Sequence, residues 1–207
     1  MEKNSVSKAT LGRLPHYLRF LRELPKGTDY VSSTTVAREL GLGEVQVRKD
    51  LNAVSGKGKP KIGYKVFELI ESLETFLGYS SMNSAVLVGA GRLGKALLEY
   101  DEFEHYGVKI AAAFDCNKQP VKFNNHEILP IDELEQFCKN RCVQIGIITV
   151  GEGSAQEVCD RMVESGITAI WNFAPCKLSV PQGVLVRHEN LALSLAHLNN
   201  TLKNQIG

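Results

Sequence analysis

The sequence predicts an α/β protein with two domains: an N-terminal domain of the winged helix-turn-helix type and a C-terminal domain built on a doubly wound parallel sheet. Residues 1–78 show helical periodicity around a glycine- and lysine-rich loop, whereas residues 79–207 alternate short apolar runs with helical segments. The chain has 207 residues, of which 43% are hydrophobic and 23% charged, a composition typical of globular proteins. No stretch approaches the roughly 18 apolar residues of a membrane span, so we expect no membrane partner.

The net charge of +1 conceals two oppositely charged halves. Residues 1–78 contain 13 Lys and Arg against 9 Asp and Glu, and residues 79–207 contain 11 against 14. Within the first half, residues 48–65 hold six basic side chains and one acid, Asp50. Such a concentration of positive charge favours a nucleic-acid partner for the N-terminal domain.

The N-terminal segment predicts a helix-turn-helix. Leucines at positions 11, 14, 18 and 21 mark an amphipathic helix that stops at Pro25, and residues 32–35 form a Ser/Thr cluster suited to cap a second, short helix. After the glycines at 41 and 43, residues 44–54 predict a third helix with Val47, Leu51 and Val54 facing inward. Two short helices around a glycine-containing turn, the second one basic, are typical of a DNA-reading unit.

A loop and a further helix complete this domain. Residues 55–64 are rich in glycine and lysine and predict the hairpin, or wing, that follows many recognition helices. Residues 66–77 then have helical periodicity up to Gly78, and the polar residues 79–83 are the best candidate for a domain boundary.

The second half predicts a parallel sheet. Its apolar runs, expected to be strands, cover residues 85–88, 108–114, 143–150 and 168–173, and its helical segments cover 95–104, 132–138 and 154–165. Continuous apolar strands that alternate with helices indicate a sheet buried on both faces. A last apolar helix, residues 191–202, has no evident partner in its own domain.

A glycine motif follows the first of these strands. Gly89, Gly91 and Gly94 form G-x-G-x-x-G, in which the glycines make the tight turn, admit a pyrophosphate and let the helix pack on the strand. Asp115 ends the next strand, 21 residues after Gly94, where an acid bonds the ribose hydroxyls of an adenosine and repels a 2′-phosphate. The motif predicts a Rossmann-type domain that binds NAD(H) rather than NADP(H). The alternative is a glycine-rich turn that binds no ligand.

The exposed face of the third helix supplies candidate DNA contacts. Amides pair with adenine and cationic side chains with guanine, while lysines of the wing are suited to phosphates. The candidates on the helix are Gln46, Arg48, Lys49 and Asn52, and those on the wing are Lys57, Lys59 and Lys61. The alternative is an ordinary solvated helix and a charged loop.

Neither a metal site nor a catalytic group is predicted. The five cysteines are odd in number and irregularly spaced, which indicates a reducing, cytoplasmic setting rather than a disulfide framework. Cys138 and Cys142 have no histidine pattern beside them that would complete a metal site. A nicotinamide enzyme needs a positioned acid or base, and the sequence shows no Tyr-x-x-x-Lys pair. A bound dinucleotide would therefore be a signal rather than a reactant.

Taken together in this order, the motifs resemble those of the Rex family of bacterial redox-sensing transcriptional repressors, along essentially the whole chain. The matching segments are Arg13-Leu14-Pro15-His16-Tyr17-Leu18-Arg19, Val45-Gln46-Val47-Arg48-Lys49-Asp50-Leu51, Gly63-Tyr64, Val88-Gly89-Ala90-Gly91-Arg92-Leu93-Gly94, Ala113-Phe114-Asp115 and Asn172-Phe173-Ala174-Pro175.

The resemblance implies a homodimer that binds palindromic double-stranded operator DNA and releases it when NADH binds. It implies a winged-helix domain at residues 1–80, a Rossmann domain at 81–188 and a C-terminal dimerisation helix at 189–207 that is exchanged between subunits. The residues implied to contact the cofactor are Gly89, Ala90, Gly91, Arg92, Leu93, Gly94, Tyr100, Asp115, Thr149, Val150 and Asn172. A switch between the two states is implied for Arg19, Tyr100 and Asn190.

Several positions depart from the family pattern. The third helix continues Asn52-Ala53-Val54-Ser55 where the family usually has Ser-Tyr-Phe-Gly, and the wing has Pro60 where an arginine is usual. Gly151 replaces a proline after Thr149-Val150, and Asn190 stands where the family places an acid. Two alternatives therefore stay open, a DNA-binding regulator that senses another adenosine ligand or none, and an NAD-dependent oxidoreductase with an accessory domain.

Overall fold

A computed structural model describes residues 6–79 and 81–206 and divides the chain into two compact units, Met1–Ser81 and Met82–Gly207. The domain boundary predicted at residues 80 and 81 includes Ser80, which lies outside the described residues. The same holds for residues 1–5 and Gly207, at the outer ends of the first and last predicted domains.

Four helices form the described part of the N-terminal unit, as the periodicity predicts. They are α1 (Lys8–Arg22), α2 (Ser33–Glu39), α3 (Glu44–Ser55) and α4 (Val66–Leu77). The hydroxyls of Ser7 and Ser32 cap α1 and α2 by accepting a backbone N–H three residues on, and Gly78 ends α4 in the left-handed conformation. Leu14, Leu18 and Leu21 of α1 belong to one buried cluster with Val36, Val47 and Leu51, which makes a core shared by the helix-turn-helix pair. Leu11, the first leucine of the predicted stripe, is exposed.

The wing is held by a short antiparallel ribbon. Strand β1 (Tyr30–Val31) pairs with β2 (Tyr64–Lys65), and within the preceding loop Lys59 and Gly63 exchange two backbone hydrogen bonds of 2.8 Å each. Gly63 has φ +96°, and a Cβ there would lie 2.3 Å from the carbonyl oxygen of Val31. Only glycine fits this position, so Gly63 fixes where the wing leaves the ribbon.

The described part of the C-terminal unit contains one sheet of seven strands in the order β5-β6-β4-β3-β7-β8-β9. The strands are β3 (Asn83–Val88), β4 (Val108–Asp115), β5 (Val121–Phe123), β6 (His126–Pro130), β7 (Ile145–Ile148), β8 (Ala169–Asn172) and β9 (Leu185–His188). Neighbouring strands are parallel except for the pair β5 and β6. Without the extra edge strand β5, this is the Rossmann strand order.

Helices cover both faces of this sheet. They are α5 (Arg92–Leu98), α6 (Glu102–His105), α7 (Leu134–Arg141) and α8 (Glu152–Glu164). The last helix, α9 (Leu191–Ile206), does not belong to this layer, because its leucines are exposed. Val86 and Val88 of β3 belong to a core cluster with α7 and α8, and the alternating Ala85 and Leu87 belong to a second cluster with Leu98 of α5. Because successive side chains of a strand point to opposite faces, the predicted burial of the sheet on both faces is confirmed.

The structure differs from the sequence prediction in the elements at the edges of this unit. The helix predicted over residues 95–104 is two helices, α5 and α6, and no glycine or proline marks the break between them. Strands β5, β6 and β9 were not predicted, because all three are short and lack a continuous apolar run. Strands β5 and β9 are also largely exposed. Within the described residues, no helix is both long and apolar enough to cross a membrane.

Candidate functional sites

The glycine motif forms the turn from β3 into α5. Gly89 has φ +105°, and a Cβ on it would lie 2.8 Å from backbone atoms of Thr149 and Val150. Gly91 is the N-cap of α5, and a Cβ there would have no neighbour within 4 Å. The turn is therefore packed tightly beneath Gly89 and open above Gly91, where a pyrophosphate would approach the backbone.

Gly94 and Thr149 hold this turn from the other side. A Cβ on Gly94 would lie 2.0 Å from the carbonyl oxygen of Gly89, so the helix and the turn touch directly. The Thr149 hydroxyl, directly after β7, donates to the Gly89 carbonyl oxygen at 2.6 Å, and its backbone N–H donates to the Val88 carbonyl at 2.9 Å. Thr149 thus fixes the glycine turn against the next strand. That Thr149 also borders a dinucleotide stays a prediction.

Asp115 lies at the carboxyl end of β4, beside the glycine turn. Its Oδ2 accepts the Ala90 N–H and its Oδ1 accepts the Cys116 N–H, both at 2.7 Å. An ionised carboxylate has about four acceptor positions, so two remain for ribose hydroxyls. Strands β3, β4 and β7 all end at this edge, and the chain order reverses between β3 and β7, which is where open α/β sheets bind nucleotides.

We expect Thr149→Val to weaken dinucleotide binding about tenfold, because the Gly89 carbonyl loses its hydroxyl partner while the side-chain volume stays nearly the same. Calorimetric titration with NADH measures the loss. Thr149→Ser keeps the hydroxyl and should bind as the wild type does. Thr168→Val, at the opposite end of the strands, should also leave the affinity unchanged. Equal affinities for Thr149→Val and wild type would show that the hydroxyl does not position the turn.

The direct cofactor contact predicted for Asn172 needs correction. Asn172 is fully buried, and its Oδ1 accepts the Ala174 N–H at 2.9 Å. Its Nδ2 donates to the carbonyl oxygens of Ala174 and Cys176 and to His188 Nδ1, at 3.0–3.2 Å. The amide is fully used in shaping the turn after β8, and it presents no free polar atom to a ligand.

Four aromatic side chains form a continuous row in this unit. The ring of Tyr100, which is half exposed, makes an edge contact with Phe103, with centroids 5.0 Å apart. Phe103 contacts Trp171 at 5.7 Å, and Trp171 contacts Phe173 at 4.5 Å. The row links the predicted nicotinamide neighbour, Tyr100, to the carboxyl end of β8.

The predicted DNA contacts of the N-terminal unit largely share one groove. Arg48 and Asn52 of α3 and three wing lysines, Lys57, Lys59 and Lys61, line a cavity of about 450 Å³ together with residues 32–34 at the start of α2. At the wing tip, Lys61 has φ +64°, an uncommon conformation for lysine. The structure also exposes Gln46 and Lys49 on α3, outside the set that lines this groove.

Asp50 has a structural role that the sequence patterns did not predict. It is 2% exposed, and its carboxylate accepts from Arg13 Nε at 2.8 Å and Nη2 at 3.1 Å. The Tyr17 hydroxyl donates to it at 2.8 Å, Gln46 Nε2 at 2.9 Å and the Thr10 hydroxyl at 3.2 Å. Burial, together with the hydrogen bond to Asp50, raises the pKa of Tyr17 to about 12, so this phenol stays a donor. The sequence shows Asp50 only as the one acid in a basic segment.

The predicted switch residues fall in both units. Arg19 of α1 is exposed and lies 3.8 Å from Glu23 in an i,i+4 ion pair. Asn190 caps α9, since its Oδ1 accepts the Leu193 N–H at 2.9 Å. A cap at this position uses the amide oxygen, so an asparagine serves here as well as an aspartate would. The coupling of these residues in a switch stays a prediction.

The cysteines form no disulfide, and the part of the chain that the structure describes holds no group of three or more potential metal ligands. Burial raises the pKa of the Cys138 thiol to about 11. Cys116 is exposed, and its hydrogen bond with Asp115 raises the pKa of its thiol as well. Neither environment activates a thiolate.

Comparison with known proteins gives matches in both halves and along the whole length. A family model described as a CoA binding domain matches residues 80–176, and one described as a putative DNA-binding protein N-terminus matches residues 5–52. A redox-sensing transcriptional repressor Rex from Clostridium botulinum is 41% identical over 209 residues, which cover 99% of this chain and 100% of the relative. The repressor of the same description from Treponema denticola is 41% identical over 202 residues, 96% of each chain.

Solved structures match over the same length. The crystal structure of RSP in complex with β-NAD⁺ and operator DNA has a TM-score of 0.89 at 35% identity, covering 97% of this chain and 94% of that one. RSP in complex with β-NADH has a TM-score of 0.83 at 34% identity, covering 97% and 95%. RSP alone is described as a Rex-family repressor.

Proposed function

The chain belongs to the Rex family of redox-sensing transcriptional repressors, and from this we propose that it represses transcription by binding operator DNA and releases the operator when NADH binds. The proposal rests on one observation: the same chain contains a glycine turn of the nucleotide-binding type and a basic groove between α3 and the wing. The first would sense the ratio of NADH to NAD⁺, and the second would bind a palindromic double-stranded site.

The residues of the glycine turn fit a dinucleotide. The open space above Gly91 admits a pyrophosphate, and the free acceptor positions of Asp115 suit the ribose hydroxyls of an unphosphorylated adenosine. Arg92 and Leu93 would supply backbone N–H groups or side-chain contacts around the phosphates, and Ala90, whose N–H is donated to Asp115, would hold that carboxylate beside the turn. Thr149, Val150 and Asn172 would shape the border of the site, and Tyr100 would lie beside the nicotinamide.

We assign residues 1–80 to the DNA-reading domain, 81–188 to the sensing domain and 189–207 to a dimerisation helix. Helix α9 exposes Leu191, Leu193, Leu195, Leu198 and Leu202, each by more than half of its surface. An exposed leucine-rich helix needs an apolar partner. Exchange of this helix between two subunits would bury it, as the family resemblance implies, and would form the homodimer that a palindromic operator requires.

The release of DNA would follow from linkage. If NADH prefers one arrangement of the dimer and operator DNA another, each ligand weakens the binding of the other by the same factor. A 100-fold effect needs about 2.7 kcal/mol of differential binding, which a few contacts can supply. We propose that the bound dinucleotide is not consumed, and that the protein acts in the cytoplasm, where its operator is located.

A gel-shift titration with a palindromic duplex at fixed ionic strength tests the proposed function. We expect NADH to weaken operator binding tenfold or more and NAD⁺ to do so much less. Parallel titrations with ATP and coenzyme A test the alternative of another adenosine ligand. Oxidation of NADH in the presence of small carbonyl compounds would instead favour the oxidoreductase alternative. Operator affinity that does not change at saturating NADH would disprove NADH sensing.

Wing lysines should contribute phosphate contacts, and their contribution should appear in the salt dependence of binding. We expect Lys59→Gln and Lys61→Gln each to reduce the slope of log affinity against log salt by about 0.9, with similar losses for all duplex sequences. Fluorescence anisotropy at several salt concentrations gives the slopes. Lys26→Gln, in the exposed turn after α1, is the matched control and should leave the slope unchanged. Equal slopes for all four proteins would place the wing away from the phosphates.

A further inference from the structure

The wing is joined to the recognition helix by a side-chain hydrogen bond. The hydroxyl of Tyr64, in β2, donates to Asn52 Oδ1 on α3 at 2.6 Å. Tyr64 is 8% exposed, and its backbone pairs with that of Val31 in β1. A buried side chain of the ribbon therefore bonds directly to the helix whose exposed side chains are the candidate base contacts.

Both ends of the wing loop converge on the Tyr64 ring. The backbone of Gly58, near the start of the loop, hydrogen-bonds to the phenol oxygen, and a Cβ on Gly58 would lie 3.0 Å from the ring. The same Cβ would lie 3.2 Å from the carbonyl oxygen of Gly63, at the end of the loop. Because burial raises the pKa of Tyr64, the phenol keeps its proton and stays the donor to Asn52.

The loop beyond this ring is closed on itself and carries two of the candidate lysines. Lys59 and Gly63 are joined by two backbone hydrogen bonds, and Pro60 restricts φ within the turn between them. The Ile62 N–H also donates to the Lys59 carbonyl oxygen, at 3.2 Å. Lys59 and Lys61 are therefore held on a short, closed turn, whose direction relative to α3 depends on the contacts at its base.

We propose that the hydrogen bond between Tyr64 and Asn52 is a latch that positions the wing lysines for DNA, which deepens the proposed function and rests on it. Tyr64 is then a positioning residue, which acts through the direction that it gives to the wing. A wing already held at one angle to α3 loses less conformational freedom when helix and wing bind one duplex together. The latch lies in the wall of the groove that Arg48 and the wing lysines also line, where helix and wing would meet the duplex.

Fluorescence anisotropy with the full-length protein and a palindromic duplex tests the latch. We expect Tyr64→Phe, which keeps the ring and removes the hydroxyl, to weaken binding about tenfold. In an Asn52→Ala background the same substitution should cost less than about threefold, because only the bond to Gly58 remains to be lost. Tyr30→Phe, which removes an exposed phenol hydroxyl from the paired strand, is the matched control and should bind as the wild type does.

A second comparison separates positioning of the wing from a general loss of stability. In the wild type, Lys61→Gln should reduce the slope of log affinity against log salt by about 0.9. In the Tyr64→Phe background the reduction should be clearly smaller, because a wing without its latch no longer holds the lysine at a phosphate. A purely structural role for Tyr64 would leave the contribution of Lys61 unchanged in every variant that folds. Thermal unfolding identifies those variants, and Asn52→Ala replaces Tyr64→Phe in this comparison if the latter does not fold.

The outcomes separate this inference from the proposed function. A wild-type protein that binds no duplex even at low salt would contradict the proposed function, and this inference with it. If the wild type binds, equal losses from Tyr64→Phe in the presence and absence of the Asn52 side chain would overturn the inference alone. So would unchanged affinity in Tyr64→Phe, or a loss in Tyr30→Phe of the same size. An effect of Lys61→Gln on the salt slope that is the same with and without the latch would also overturn it.

Discussion

Replacement of Asp50 by alanine should lower the free energy of unfolding of the N-terminal unit by about 3 kcal/mol and remove specific DNA binding. The carboxylate is 2% exposed and is the shared acceptor for Arg13, Tyr17, Thr10 and Gln46. Without it, the fully buried Tyr17 hydroxyl loses its acceptor and the Arg13 guanidinium loses a bidentate partner. These donors lie on α1 and the acceptor lies on α3. The substitution therefore removes the polar contacts that hold the recognition helix α3 against α1.

The measurement uses urea unfolding, with far-UV circular dichroism for the whole chain and fluorescence of Trp171 for the C-terminal unit. The sequence contains one tryptophan, so its emission reports that unit alone. We expect Asp50→Ala to lower the urea concentration at which the N-terminal unit loses its circular dichroism signal. The unfolding transition reported by Trp171 fluorescence should stay at the wild-type urea concentration. Glu74→Ala is the matched control, since it removes the acid of a half-exposed ion pair with Arg22 and should cost at most about 1 kcal/mol. Equal costs for the two variants would show that Asp50 is not a structural centre.

The contribution of Asp50 should depend on pH in a defined direction. Burial alone would raise the pKa of Asp50, but hydrogen bonds from Arg13, Tyr17 and Gln46 outweigh it and hold the pKa below its ordinary value. A carboxyl group of this kind stabilises the fold above its unfolded pKa, about 4, and loses that contribution as the pH falls through its folded pKa. The stability difference between wild type and Asp50→Asn should therefore be constant near neutral pH and shrink in acid. A difference that grows in acid would contradict this assignment.

The sequence predicted those elements whose residues follow a short, regular spacing along the chain. The helices of the N-terminal unit, the apolar strands β3, β4, β7 and β8, and the glycine turn all follow from spacings of a few residues. The Asp50 centre could not be predicted in this way, because its partners Arg13 and Tyr17 lie 37 and 33 residues away in the chain. Asn172 is the converse case, since the family resemblance implies a cofactor contact for it, whereas its buried amide forms its hydrogen bonds within the turn after β8.

Gly94→Ala should abolish the response to NADH and leave a repressor that stays on its operator. A Cβ there would lie 2.0 Å from the Gly89 carbonyl oxygen and 3.0 Å from the Thr149 hydroxyl, the two atoms whose hydrogen bond fixes the glycine turn. Since neither the backbone of the turn nor strand β7 can move freely, the turn must be displaced. We expect loss of NADH affinity by 100-fold or more, and a cost in stability of about 1–3 kcal/mol.

Alanine substitutions at two other glycines serve as controls for Gly94→Ala. A Cβ on Gly91 would have no neighbour within 4 Å but would occupy the space for the pyrophosphate. Gly91→Ala should therefore be as stable as the wild type and yet bind NADH more weakly than the wild type does. Gly153, in α8, is exposed and also unobstructed, and Gly153→Ala should be neutral in binding and neutral or slightly favourable in stability. Thermal unfolding, NADH titration and operator gel shifts on the three variants distinguish packing of the turn from approach of the phosphates. If Gly94→Ala and Gly91→Ala both bind NADH as the wild type does, the dinucleotide does not bind at this turn. If only Gly94→Ala loses binding, the turn is structural and the phosphates lie elsewhere along the edge of the sheet.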